Sequence, residues 1–100
     1  MKYRVVVRPE VDDDLREAES WYEQQRAGLG AEFQEEVRAA ISSLPGNPLL
    51  YRARHRLMQV RWLHPRRFPY RIIYRVNNDT VTIFAVLHAA RHDRHWRQRI

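Results

Sequence analysis

Residues 68–76, FPYRIIYRV, show the clearest alternation of side chains in the chain and decide its fold. Apolar residues at every second position share one face of a strand: Phe68, Tyr70, Ile72, Tyr74 and Val76. The opposite face carries Arg71, Ile73 and Arg75. The segment Asn77-Asn78-Asp79 then predicts a hairpin turn, because Asn and Asp tolerate positive φ. Residues 80–88 are apolar on both faces and predict a central strand.

Upstream of this hairpin the pattern is a short strand followed by a helix. Residues 3–8 alternate as a strand that ends at Pro9. The next apolar residues recur at helical spacing: Val11, Leu15, Ala18 and Tyr22. Trp21 lies beside this stripe, and we expect Trp21 and Tyr22 in the core or at its edge. The three aspartates of residues 12–14 are interpreted as a solvated helix start, where the helix dipole favours negative charge, and not as a magnesium site.

A second helix is predicted from about residue 30 to residue 44. Its apolar stripe consists of Phe33, Val37, Ile41 and Leu44. The segment 45–48, PGNP, is a strong stop. The link between the helices is short, so they should form an antiparallel hairpin, with Gly28 as a C-cap and Gly30 in a tight turn.

The remaining segments complete an α+β fold in one domain of residues 1–100. Residues 57–64 predict a strand, and residues 91–100 a short C-terminal helix or tail anchored by Trp96. The order is therefore β-α-α-β-β-β with a helical hairpin on one face of a mostly antiparallel sheet. The chain has no cysteine and no apolar run long enough for a signal peptide or a membrane span, so we expect it in the cytoplasm.

Charge is divided unevenly between the two halves of the chain. Residues 1–50 carry 6 Lys/Arg and 10 Asp/Glu, whereas residues 51–100 carry 12 Arg and 2 Asp, which sums to the net charge of +6. A basic half that is rich in arginine points to a polyanionic partner, either nucleic acid or an acidic protein segment. The alternative is a solvated basic surface. A plain nucleic-acid-binding module is also possible, although no helix carries a basic stripe suited to the major groove.

The order and spacing of several short motifs resemble the RelE/ParE family of bacterial toxins. The matching segments are Asp14-Leu15, Trp21-Tyr22, residues 28–33, Asn47-Pro48, residues 67–74, residues 88–91, and Trp96 with Arg99. The resemblance covers about ninety residues and is closer to the ParE branch. The sequence departs from the family in two places: His92-Asp93 stands where an Asp-Pro pair is common, and Val11 stands where alanine is usual.

The resemblance implies a toxin that is neutralised by a cognate antitoxin, and it leaves two kinds of target open. The ParE branch poisons DNA gyrase and has no recognised catalytic set, whereas the RelE branch consists of ribosome-dependent mRNA endonucleases. Binding to gyrase is our preferred hypothesis. A nuclease would need an acid, a base and cations around a phosphate. The residues available for this are His88, Arg91, Arg61 and Tyr70, but His88 could equally be a hydrogen-bonded residue that holds the tail.

Two sets of arginines are candidates for binding these partners. Target-binding candidates lie in the tail: Arg91, Arg94, Trp96, Arg97 and Arg99. Antitoxin-binding candidates, which would receive an acidic and apolar antitoxin tail, lie in the strand region: Arg61, Arg67, Arg71 and Arg75. The alternative for the tail is that it only covers a face of the sheet.

We expect no cofactor and no metal. The spacing of His88, His92 and His95 would suit one helical face, but His88 should still be in a strand, and no cysteine or paired carboxylate joins them. The sequence has no Gly-rich phosphate loop and no Ser-His-Asp order.

Overall fold

The computed structural model describes residues 3–55 and 57–100, and it confirms the predicted α+β fold. The strands are β1 (Arg4–Val7), β2 (Arg61–Leu63), β3 (Tyr70–Asn77) and β4 (Thr80–His88), and the helices are α1 (Pro9–Gln25), α2 (Leu29–Ser43) and α3 (Arg94–Arg97). The sheet order is β1-β4-β3-β2. β1 is parallel to β4, and the other neighbours are antiparallel, so the long apolar strand β4 is central as predicted.

The helical hairpin of α1 and α2 covers one face of this sheet. α1 buries Val11, Ala18 and Tyr22, as its apolar stripe predicts. α2 buries Phe33 and Val37. Rings from both helices and from the β3 region meet in one cluster, in which the Tyr22 and Phe33 centroids are 5.3 Å apart. This apolar layer is the main core and holds the sheet in place.

The two glycines of the hairpin serve different purposes. Gly28 is the N-cap of α2 and not the predicted C-cap, and it adopts φ 90°, a left-handed conformation that favours glycine. Gly30 lies within α2 and not in the predicted tight turn. A Cβ atom there would lie 2.8 Å from the backbone oxygen of Glu19, so glycine allows the helices to approach closely. The Glu23 carboxylate accepts the N–H groups of Gly28 and Gly30 at 2.9 and 3.0 Å. These hydrogen bonds lower the pKa of Glu23.

The opposite face of the sheet has a second, smaller core beneath the C-terminal tail. Its buried residues are Val60, Trp62, Ile73, Phe84, Ala85, Leu87 and Trp96. Trp96 is only 3% exposed and comes from α3, the single helical turn of the tail. The tail is therefore part of the packed structure, as its anchoring tryptophan indicated.

Three further sequence-based expectations about the fold need correction. The strand predicted for residues 57–64 is restricted to Arg61–Leu63, because residues 57–58 form a turn and Gln59 has φ 54°. The strand predicted from Phe68 begins at Tyr70, after a turn in which Arg67 has φ 67°. Trp21 is 55% exposed, so its placement in the core or at its edge is wrong. One position along a helix turns the side chain by about 100°, which takes Trp21 off the stripe that buries Tyr22.

In the part of the chain that the structure describes, no helix is both long and apolar enough to cross a membrane. Asn78 has φ 57° in the β3–β4 turn, which confirms the predicted hairpin.

Tyr74 links the main core to the loop after α2 and predicts a measurable dependence of stability on pH. Its side chain is fully buried, and its hydroxyl donates to the Pro48 carbonyl oxygen at 2.5 Å. Burial raises its pKa to about 12, against about 10 in an unfolded chain. The neutral phenol therefore stabilises the fold fully below about pH 10, and this contribution is lost as pH rises towards about 12.

We expect Tyr74→Phe to lower the free energy of unfolding at neutral pH by about 1–2 kcal/mol, because the Pro48 carbonyl loses its donor. Urea unfolding at neutral pH and near pH 11 should show the gap between the wild type and this variant narrowing at high pH. Tyr3→Phe, a change at a half-buried tyrosine, is the control. Parallel pH profiles for the wild type and Tyr74→Phe would contradict the prediction.

Candidate functional site

The C-terminal tail is fixed to α1 by a nearly buried ion pair. The Arg99 guanidinium donates to both carboxylate oxygens of Asp14, at 2.7 and 2.9 Å, and also to the Phe84 carbonyl at 3.1 Å. Asp14 in turn accepts the Val86 N–H at 2.9 Å, and its side chain is 7% exposed. Hydrogen bonding to Asp14 raises the pKa of Arg99. Asp14 therefore joins α1, β4 and the tail, and the interpretation of Asp14 as part of a solvated helix start is wrong.

Beside this anchor, the start of the tail and β3 form a cationic pocket of about 500 Å³. We use that name for the pocket lined by Arg71, Arg91, His92, Asp93 and Arg97. Asp93 is the single acid among these five residues, and it accepts a hydrogen bond from Arg71 at 3.3 Å. Three guanidinium groups around one carboxylate leave the pocket with excess positive charge. Such a pocket favours an anionic partner.

The three arginines differ in how firmly they are held. The Arg71 guanidinium lies 4.4 Å from the Trp62 ring centroid, and its side chain is 23% exposed. Arg91 pairs with Glu17 of α1 at 3.1 Å, in a contact between exposed side chains. Arg97 is exposed and lies over the Trp96 ring. Exposed pairs contribute about 0–1 kcal/mol, so Arg91 and Arg97 can turn to an incoming anion, whereas Arg71 is fixed by packing.

The tail has further cations beyond the pocket. Arg94 is exposed at the start of α3. Partial burial, together with the charges of Arg91 and Arg94, lowers the pKa of His95. His95 therefore adds little to the positive field of the tail at neutral pH. Of the five target-binding candidates, Arg91, Arg94 and Arg97 present exposed charge, while Trp96 and Arg99 are packed into the fold.

Three of the four residues proposed for a nuclease lie together, and the fourth does not. Tyr70, His88 and Arg91 line one small cleft with Asp14. The rings of Tyr70 and His88 are 5.3 Å apart, and His88 Nδ1 accepts the Ala90 N–H at 3.0 Å. Burial raises the pKa of Tyr70, which makes it a poorer base at neutral pH. Arg61 lies on β2 and donates to the Tyr51 carbonyl.

The four antitoxin-binding candidates do not form a single surface. Arg67 pairs with Glu32 and Glu36 of α2, on the side of the helical hairpin. Arg61 likewise has a partner within the chain, because its guanidinium donates a hydrogen bond to the Tyr51 carbonyl. Arg71 faces the second core, next to Trp62. Arg75 is exposed and lines a separate groove with apolar Leu57 and Ile100.

Within residues 3–55 and 57–100, no group of three or more His, Asp or Glu side chains is placed to hold a metal ion. The His88, His92 and His95 side chains have other roles or environments: His88 Nδ1 and His92 Nδ1 accept backbone N–H groups.

Sequence analysis missed the two acids of α1 that organise this region. Asp14 is three residues after Val11 and four before Ala18, so helical spacing alone places it on the buried stripe. The sequence pattern does not single out Glu17, which pairs with Arg91. Its side chain is 75% exposed, and an exposed acid on a helix has no distinctive position in the apolar pattern.

Comparison with known proteins gives one family and a set of similar structures. A family model described as "ParE toxin of type II toxin-antitoxin system, parDE" matches residues 5–93. A structure of a chromosomal ParDE TA system from P. aeruginosa is similar with a TM-score of 0.76 and 16% identity, covering 87% of this chain and 96% of that one. A mutant of the E. coli toxin RelE in the free state is similar with a TM-score of 0.72 and 17% identity, covering 99% and 95%. At these identities the structural likeness concerns the fold. A search of curated proteins gives no match.

Proposed function

The chain belongs to the ParE toxin family of type II toxin–antitoxin systems, and from this premise we propose that it inhibits bacterial growth by binding DNA gyrase through its cationic pocket. The protein acts in the cytoplasm as a single toxin domain of residues 1–100. One observation carries the proposal: Arg71, Arg91 and Arg97 converge on a pocket that contains one acid. Their guanidinium groups would pair with acidic side chains of the enzyme or with phosphates of the DNA it holds.

Binding explains this pocket better than catalysis does. Arginine does not serve readily as a base, because its pKa is about 12.5 or more. His88 is not among the residues that line this pocket. Because its Nδ1 accepts the Ala90 N–H, the proton of the neutral ring lies on Nε2, and the ring has no free lone pair with which to act as a base. Arg91 and Arg97 are exposed and held by weak contacts, as expected of groups that turn to a partner.

A cognate antitoxin would neutralise the toxin, and the groove around Arg75 suits its acidic and apolar tail. This groove has a volume of about 490 Å³ and is lined by Arg8, Arg75 and Arg99 together with Leu57, Phe84 and Ile100. Leu57 is 85% exposed, so the groove offers apolar surface beside the cations. Arginines beside exposed aliphatic residues fit a segment in which acidic and apolar side chains alternate.

We expect a small reading frame next to this gene to encode that antitoxin, and its product to relieve growth inhibition on co-expression.

Arg75→Glu should weaken the complex of toxin and antitoxin about tenfold or more in calorimetry, since a charge-assisted contact becomes a repulsive one. Arg52→Glu, at another exposed arginine, is the matched control and should bind as the wild type does. A genomic neighbourhood without a small companion gene would contradict the antitoxin proposal.

One observation favours the alternative function, a ribosome-dependent mRNA endonuclease of the RelE type. Tyr70, His88 and Arg91 line the same cleft. On our account His88 is structural and not catalytic. His88→Ala should therefore change growth inhibition by less than about threefold and lower the free energy of unfolding by about 0.5–1.5 kcal/mol, because the Ala90 N–H loses its acceptor.

Growth assays and thermal unfolding of His88→Ala together test whether His88 is structural. Loss of toxicity in a variant of unchanged stability and antitoxin affinity would favour the nuclease. Ribosome-bound mRNA that the wild type cuts and His88→Ala spares would replace the gyrase proposal.

A further inference from the structure

A second open groove lies between α1, the start of β3 and the end of β4. We call it the aromatic groove; it has a volume of about 580 Å³, and its principal lining residues are Glu17, Trp21, Tyr22, Pro69, Tyr70 and His88. This volume is in the range of sites that bind small molecules or single side chains. Its lining has no residue in common with that of the cationic pocket.

Trp21 is the most unusual feature of this groove. It is 55% exposed, although its neighbour Tyr22 is in the core. The Trp21 and Tyr22 rings meet edge to face with centroids 5.1 Å apart, so Trp21 is held against a fixed partner. An ordered, exposed indole that lines a groove offers a large contact surface to a ligand.

The charge of the aromatic groove is opposite to that of the cationic pocket. Among the described residues that line it, Glu17 is the only acid, and none is lysine or arginine. The Glu17 charge reaches the phenol of Tyr70, whose pKa is raised first by burial and then by Tyr22 and Glu17. Aromatic rings and a carboxylate together attract a cation, through the ring faces and through direct ion pairing.

The chain itself supplies an example of such a cation at the edge of the groove. The Arg91 guanidinium reaches Glu17 at 3.1 Å, with side chains 42% and 75% exposed. Since pairs this exposed are weak, another guanidinium can replace Arg91 at little cost. A planar guanidinium stacks on aromatic rings and pairs with a carboxylate through two donors, which a lysine ammonium cannot do.

We propose that the aromatic groove binds an arginine side chain of a partner protein, stacked beside Trp21 and paired with Glu17 in place of Arg91. The aliphatic stem of that arginine packs on Pro69 and Tyr22. Binding frees Arg91, which pairs with Glu17 of the aromatic groove and lines the cationic pocket, so this one residue links the two sites. The inference goes beyond the proposed function and does not depend on gyrase or on the antitoxin.

Nuclear magnetic resonance of the indole N–H groups tests this on the full chain. The probes are N-acetyl-arginine amide and N-acetyl-citrulline amide, which has nearly the same shape without the charge. The Trp21 signal is identified by its loss in Trp21→Phe. We expect the arginine probe to shift the Trp21 signal saturably at millimolar concentration, with the Trp62 and Trp96 signals unmoved and the citrulline probe without effect.

Two substitutions on the helices distinguish binding of the probe in the groove from a general effect of negative charge on the surface. Glu17→Gln should weaken binding of the arginine probe about tenfold, as expected for loss of a charge-assisted pair. Glu35→Gln removes the same charge from an exposed position on α2 and should leave binding unchanged.

Three results would overturn the proposal. The first is equal shifts with the arginine and citrulline probes. The second is unchanged arginine binding in Glu17→Gln. The third is a Trp21 shift that grows with protein concentration in the absence of any probe, which would assign the groove to a second copy of this chain.

Discussion

Replacing Asp14 with alanine is expected to lower the free energy of unfolding by about 3 kcal/mol and the Tm by roughly 10 °C or more. The Asp14 side chain is 7% exposed. Both of its carboxylate oxygens accept hydrogen bonds from the Arg99 guanidinium, and one of them also accepts the Val86 N–H. Its removal leaves the Val86 N–H without this acceptor and the Arg99 guanidinium without its carboxylate, although the Phe84 carbonyl remains. A small domain has only about 5–15 kcal/mol of stability, so this is a large fraction of the total.

Asp13→Ala is the matched control for this prediction. Asp13 is the preceding residue of the same helix, pairs with Arg16 at 2.9 Å, and has a side chain that is 82% exposed. Its replacement should cost less than about 0.5 kcal/mol. Asp14→Ala and Arg99→Ala should be strongly non-additive in chemical unfolding, because both remove the same contact. An Asp14→Ala variant within about 1 kcal/mol of the wild type would show that the anchor contributes little.

Reversing the charge of Arg91 and Arg97 together should reduce growth inhibition at least about 100-fold while the protein stays folded. Each arginine would lose a charge-assisted contact with the target, and two such contacts correspond to about 3 kcal/mol. Both side chains are exposed, and their contacts with Glu17 and with the Trp96 ring contribute little to the stability of the fold. Dose-response curves of growth after induction measure the effect, with thermal unfolding measured in parallel.

The double variant Arg52→Glu and Arg66→Glu changes the net charge by the same amount. Both arginines are exposed and lie outside the cationic pocket. This control should remain as toxic as the wild type. If the two double variants lose toxicity equally, the overall charge of the protein and not the pocket determines target binding.

The periodicity of the sequence predicted the order and type of most helices and strands, because the position of each element is determined mainly by which of its faces are buried. The stripe of α1 and the two-sided apolar pattern of β4 both predicted where those elements lie in the core. Periodicity did not predict the exposure of Trp21, which lies beside the stripe and was expected in the core or at its edge. It also failed at residues 57–60, where the Arg54 N–H bonds to the Val60 carbonyl and no strand forms.

The site was less predictable, because the contacts that organise it join distant parts of the chain. Asp14 and Arg99 are 85 positions apart, and neither residue by itself indicates the other. Counting arginines located the positive charge in the second half of the chain, but not its distribution over two faces of the sheet. Arg67 turns to the acids of α2, whereas Arg71 turns to Trp62 on the opposite face. Which arginines remain exposed depends on these partners.

The most direct test of the proposed function is a gyrase supercoiling assay with the purified protein, run beside an assay of ribosome-bound mRNA in the same buffer. Our account predicts that the protein blocks supercoiling, that the block weakens at high salt because charged contacts are screened, and that the mRNA remains full length. Normal supercoiling with the protein in excess, together with shortened mRNA, would contradict it and would identify the chain as a nuclease of the same fold.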